Sequence, residues 1–142
     1  RRGLSGLVTR AETIFHTDSP LSEDPFFNSK VAQIELDLSA LEMTELRGLA
    51  AEREGKGPGA ESSLLKIKGT ELQQRLTSLA LEAAGHEALP FGGPYGFKDQ
   101  EVSSSKAAQL TAAKYLNFRR VTIYGGTNEI QKNIIAKAVL GL

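Results

Sequence analysis

Apolar residues in this chain recur at steps of three and four, and no segment keeps a clean step of two over a useful length. Leu4, Leu7, Ala11 and Ile14 make the first such stripe, which predicts a helix with one face turned to a partner. His16-Thr17-Asp18-Ser19-Pro20 stops it, because a proline disfavours helical geometry in the residue before it. Asp24-Pro25 supplies a cap and a first helical position for a second helix. Its stripe is Phe27, Val31, Ile34, Leu38 and Leu41, and it runs to about Glu54, a span of about 45 Å at 1.5 Å per residue. Gly55-Lys56-Gly57-Pro58-Gly59 is a turn dense in helix breakers. A third helix begins near Glu61-Ser62-Ser63, buries Leu65, Leu72, Leu76, Leu79 and Ala83, and ends near Gly85, a residue suited to a left-handed cap. A loop follows from His86 to about Gln100. The fourth helix starts within Ser103-Ser104-Ser105, repeats Ala108, Thr111, Tyr115 and Phe118, and is closed by Arg119-Arg120. Val121-Thr122-Ile123-Tyr124 is the best strand candidate and reads as a connector between helices. A last helix places Ile130, Ile134 and Ala138 on one face.

The pattern predicts an all-α fold, an antiparallel four-helix bundle with a short extra C-terminal helix. At 142 residues the chain is one domain by length and large enough to bury a core. Lys plus Arg equals Asp plus Glu at 17 each, so no global positive field points to nucleic acid or an acidic membrane surface. The absence of cysteine removes disulfides, thiolate nucleophiles and Cys-ligated metals, and fits a reducing, cytoplasmic setting. No apolar run approaches the ~20 residues that span a bilayer. The start, Arg1-Arg2-Gly3-Leu4-Ser5-Gly6, has neither an initiator Met nor a signal-peptide core, and residues 1–142 read as a fragment that begins inside a longer polypeptide.

Chemistry concentrates at the end of the chain, in Tyr124-Gly125-Gly126-Thr127-Asn128-Glu129-Ile130-Gln131. Two glycines permit a tight bend or a close backbone approach to a ligand. Thr127 or Asn128 can cap the helix that follows, and Glu129 complements its positive end. This segment, with Ile134-Ile135-Ala136-Lys137 behind it, resembles the C-terminal motif of the flavin-dependent acyl-CoA dehydrogenases, Tyr-Glu-Gly-Thr-(Ser/Asn)-(Glu/Gln)-Ile-Gln followed by Ile-Ile-Ala and a basic residue. The resemblance is tight over residues 121–142 and loose over the rest. It departs where many members carry the glutamate that acts as catalytic base, since this chain has Gly125.

The resemblance implies an enzyme that binds FAD and oxidises an acyl-CoA thioester to the 2,3-enoyl-CoA. A carboxylate takes the α-proton while hydride passes from the β-carbon to the flavin, and hydrogen bonds to the thioester carbonyl make that proton acidic. By matching position, Gly126, Thr127 and Glu129 would lie against FAD, and Tyr124 would border the acyl pocket. The family's bundle lies at the interface of dimers and tetramers, so a homo- or hetero-oligomer is implied as partner. Gly125 can take no proton, which leaves three readings in order of preference. The base lies on the first helix of this domain, ahead of Arg1. Another subunit of a heteromeric dehydrogenase supplies it. Or the bundle is an assembly module without a redox role. Glu12, on the flank of the first stripe, is better read as a surface residue.

Other polar groups read as bland. His16 and His86 fall in predicted loops without companions at metal-ligand spacing, so no metal centre is expected. Glu35, Glu42, Glu45, Glu71 and Glu82 read as solvated faces with occasional helical pairing. Phe91-Gly92-Gly93-Pro94-Tyr95-Gly96-Phe97 lacks the Gly-Lys-Ser/Thr ending of a phosphate loop. The family has a Gln-x-x-Gly-Gly-x-Gly-Phe segment that ends the third helix and contacts the flavin of a neighbouring subunit. Here Glu82 and Gly85 align with its glutamine and first glycine, and residues 90–97 read as a loop elaboration. A plain helix cap followed by a surface loop accounts for the same residues equally well.

Overall fold

A computed structural model describes residues 1–16, 18–55, 59–89 and 106–141. Five α-helices follow in order: α1 (Arg2–Ala11), α2 (Pro25–Arg53), α3 (Glu61–Ala84), α4 (Lys106–Phe118) and α5 (Asn128–Leu140). No strand occurs among the described residues; Phe15 and Pro20 form an isolated bridge. Asp24 caps α2 through bonds from the N–H groups of Phe26 and Phe27, with Pro25 in the first turn. The start of α4 falls among residues 103–105 in the sequence reading, outside the described residues.

The third helix is the axle. It packs against each of the other four helices. Its course against α2 is antiparallel: Lys30 pairs with Glu82, Asp37 with Arg75, and Leu41 lies over Gly69. It is antiparallel to α4 as well, since the Gln74 amide donates to the carbonyls of Phe118 and Arg119 while Thr111, near the start of α4, lines a space with Ala83 and Ala84. The bundle and its terminal helix therefore match the expected all-α class. The lengths divide into two long helices of 29 and 24 residues and three short ones of 10, 13 and 13.

The apolar core gathers around the second half of α3. Leu4, Leu7 and Ala11 of α1, Leu21, Phe27 and Ile34 of the next segment and α2, and Leu79 and Ala83 of α3 form one buried cluster. Ile14, Val31, Leu72 and Leu76 pack at its margin. These include most of the predicted stripes of the first three helices; Leu38, Leu41 and Leu65 are only partly buried and lie outside the cluster, and on α3 the unpredicted Ile67 is buried. The Val121–Tyr124 connector is not a strand: residues Arg119–Thr122 form a 3-10 turn, and Val121 is buried. His86 lies in a second 3-10 turn, Gly85–Ala88, rather than an open loop.

The face of α5 that carries Ile130, Ile134 and Ala138 is turned to solvent. Ile130 and Ile134 are 52% and 45% exposed, and Ala138 is exposed too. The inward side of α5 carries Asn128, Gln131 and Ile135 instead. The buried Asn128 side chain accepts a bond from Lys66 of α3 at 3.0 Å. A second apolar face stands free on α2, where Leu36, Met43 and Leu46 are all exposed on the side away from α3.

Candidate functional site

The terminal turn is a built structure. Gly125 and Gly126 both take positive φ, +70° and +88°, a conformation that side chains rarely tolerate. Thr127 caps α5: its hydroxyl oxygen accepts from the Ile130 N–H at 3.3 Å. Gln131 folds back over the bend and donates to the Gly125 carbonyl at 3.2 Å. A Cβ on Gly126 would stand 2.7 Å from the Gln131 side-chain nitrogen, so the second glycine is needed for both angle and space. Nothing stands within 4 Å of a Cβ built on Gly125; its requirement is angular only.

The turn presents Tyr124, 57% exposed, beside the Arg120 guanidinium, which lies 6.0 Å from the ring centre. Glu129 is exposed, and its carboxyl is held below the ordinary carboxylate range. Its own backbone N–H is the main cause, the Thr127 hydroxyl comes next, and the charges of Lys132 and Lys66 add to it. Tyr124, Gly126 and Glu129, all exposed, and the half-buried Thr127 thus make up one ledge at the start of α5. Glu12 is exposed at the end of α1, away from the cluster of buried residues, as its place in the stripe implies.

A second concave region lies at the far end of α3. A cavity of about 780 Å³ is lined by the end of α1, the Ile14–His16 segment, the end of α3 with its 3-10 turn, and the start of α4. Arg10, Thr13, His16, His86 and Thr111 bring polar groups to it, and Glu87 adds one carboxylate. The Nε2 of His16 meets the Ala83 carbonyl at 3.1 Å, so that nitrogen donates and closes an open helix-end acceptor. Gly85 has positive φ but an extended ψ of −138°, so it is a sharp exit and not the left-handed cap that the sequence predicts. Glu82 does not reach the cavity; it is exposed and pairs with Lys30 of α2.

The two histidines, far apart in sequence, therefore line one space. No group of three metal-ligating side chains exists among the described residues. The Phe91–Phe97 loop lies outside the described residues. Sequence reasoning missed this cavity because four separate segments build it. The recoverable signal was Arg10, Thr13 and His16 at three-residue steps, entering the turn after α1.

Residues 1–140 match the family model described as acyl-CoA dehydrogenase, C-terminal domain. The chain belongs to the acyl-CoA dehydrogenase family. It is similar to the acyl-CoA dehydrogenase IpdE1 of Mycobacterium tuberculosis, at 29% identity over 144 residues, covering 99% of this chain and 32% of that protein. The chain thus spans about a third of the length of that relative. Its fold resembles the FAD complex of PigA, with a TM-score of 0.73 and 22% identity over 99% of this chain and 32% of that one. It also resembles the ChsE4-ChsE5 complex of Mycobacterium tuberculosis, with a TM-score of 0.70 and 23% identity over 99% of this chain and 35% of that one. In this acyl-CoA dehydrogenase domain, no helix among the described residues is long and apolar enough to cross a membrane.

Proposed function

We propose that this bundle is the C-terminal domain of an FAD-dependent acyl-CoA dehydrogenase that oxidises an acyl-CoA thioester to the 2,3-enoyl-CoA. The observation that carries the reading is the match of residues 1–140 to the family's C-terminal domain. FAD, when bound, supplies the hydride acceptor. The residues present fit such a group in a divided way. At the ledge, the ionised Glu129 and the backbone of Gly126 and Thr127 offer acceptors and close approach, which suits N–H groups of a ring system and not a phosphate. At the cavity, the Arg10 guanidinium suits an anionic group, but the Glu87 carboxylate lines the same space, His16 is bonded to the Ala83 carbonyl, and Glu82, aligned with the family's glutamine, pairs with Lys30. A plain helix end therefore accounts for the Gly85 segment as well as a contact to a neighbouring subunit's flavin does.

Tyr124, exposed beside the turn, borders the acyl chain in this reading. Gly125 takes no proton. In this reading the base comes from elsewhere, ahead of Arg1 or, second, from another subunit; the left-handed φ of Gly125 says only that the position suits glycine. The free apolar face of α2, with Leu36, Met43 and Leu46, supports burial against another subunit, homomeric or heteromeric. A cytoplasmic location goes with a cysteine-free, reducing-compartment enzyme.

The full-length protein is expected to purify yellow with FAD and to lose that colour when an acyl-CoA substrate is added without an electron acceptor. A colourless protein that FAD cannot reconstitute would sink the proposal. Residues 1–142 alone should give no turnover with any acyl-CoA. The residue just before Arg1 separates the two sources of the base: an acidic residue there places it on this chain, and an apolar one moves it to a partner subunit.

A further inference from the structure

The ledge hangs on one side chain of the neighbouring helix. Lys66 lies in the second turn of α3 and is half-buried. Its ammonium donates to the Thr122 carbonyl at 3.2 Å and to the Asn128 side-chain oxygen at 3.0 Å. Thr122 ends the 3-10 turn before the bend, and Asn128 opens α5 after it. One cation therefore grips both ends of the segment Ile123–Thr127, which holds the two left-handed glycines. Both acceptors are neutral oxygens, so the contact is a directed clamp and not an ion pair. The same charge helps hold Glu129 ionised.

We propose that Lys66 is the positioning residue of this site. It fixes the distance across the Tyr-Gly-Gly-Thr bend and the roll of α5, so that Tyr124, Thr127 and Glu129 keep one mutual geometry. The roll is the part that apolar packing leaves open: α5 has Ile135 on one side and Ile130 and Ile134 on another, and the Lys66–Asn128 bond selects which side turns inward. Two bonds from a charged donor are strong enough to make that choice. The consequence for cofactor binding rests on the FAD reading given above; the consequence for the shape of the bend does not.

The test uses the full-length protein with Lys66→Met, which keeps the stem and removes the charge, and Lys66→Arg, which keeps a donor cation. Amide hydrogen exchange is read over residues 123–131, with the α1–α3 core as internal reference, beside the FAD dissociation constant. Lys66→Met is expected to speed exchange across 123–131 while the core stays protected. It should also weaken FAD about tenfold or more, the effect of losing one or two charged hydrogen bonds. Lys66→Arg should recover much of both. Unchanged protection at 123–131 in Lys66→Met overturns the clamp. Faster exchange with unchanged FAD affinity overturns its role for the cofactor. If the wild-type protein takes up no FAD, the dehydrogenase reading fails, and exchange alone still decides the clamp. Should Lys66→Met fail to fold, Lys66→Gln, which keeps a shorter neutral donor, is read by the same measurements.

Discussion

The two ends of α3 are held by different physics. Near Gly85 the helix lies in an apolar cluster, with Leu79 and Ala83 packed on Leu4, Leu7 and Ala11, and opens into a cavity. Near Lys66, about 28 Å away along the axis, it also buries Ile67, and it is tied to the 3-10 turn that holds Val121 and to α5 by directed bonds. Between them a polar lattice links α3 to α4: Arg119 donates to the Gln74 carbonyl and the Thr77 hydroxyl, and its guanidinium lies 4.2 Å from the Tyr115 ring centre. Burial without direction stabilises well but fixes geometry poorly. Hydrogen bonds contribute less each and fix angles. The Gly85 end thus holds the larger apolar cluster, and the Lys66 end adds directed bonds to the ledge.

The strongest way to break this division is at Leu7, only 2% exposed in the middle of the cluster. Leu7→Ala is expected to cost about 2–5 kcal/mol, the usual range for an emptied core leucine. A denaturant midpoint measures it. The bend at 123–131 should keep its amide protection below the transition. If that protection falls in step with the midpoint, the two ends are one unit and the contrast is wrong.

Next comes Gly126→Ala. The left-handed angle alone costs about 1–2 kcal/mol, and the new Cβ also displaces the Gln131 side chain. The comparison variant is Gly125→Ala, which meets the angle and no neighbour. Gly126→Ala should therefore be the more destabilising of the two by calorimetry. Equal losses would mean that Gln131 moves aside freely and does not brace the bend.

Much of this was legible in the order of residues, and the reasons are local. The stripes of α1, α2 and α3 show because burial repeats with the helical period; Leu4, Leu7, Ala11, Phe27, Ile34, Leu79 and Ala83 are in the core as read. The ledge shows because its residues are contiguous and obey capping rules. What did not show depends on pairs far apart. Lys66 stands between Leu65 and Ile67 with nothing in the sequence to pair it, and only the fold brings it to Asn128. The four-residue spacing of Ile130 and Ile134 shows a shared face and does not say whether it turns inward; here Asn128 faces α3 and that apolar face is exposed. The cavity needs α1, α3 and α4 to meet, and His16 and His86 say nothing of each other in sequence.

A smaller effect belongs to Thr127→Ala. It removes the oxygen that accepts from the Ile130 N–H, and cap losses of this kind cost about 1 kcal/mol. It also removes the hydroxyl that helps hold Glu129 ionised. Thr127→Ser should restore most of both. If alanine and serine behave alike, the cap does not shape the ledge.

The smallest effect, and the most specific to the polar end, is in the acid limb of stability. Glu129 has its folded-state carboxyl lowered from the ordinary glutamate value of about 4.3. A lowered folded value means that the unfolded chain binds the proton more readily. The contribution is therefore fully present above the ordinary carboxylate range and is lost as pH falls through the lower, folded value. Glu129→Gln removes it, so the difference between wild type and variant should shrink as pH falls below about 4. Because Glu129 is exposed, the difference should also shrink with added salt, whereas the cost of Leu7→Ala should barely respond. A variant whose deficit is independent of both pH and salt would show that Glu129 acts through packing, and would remove the electrostatic half of the contrast between the two ends of α3.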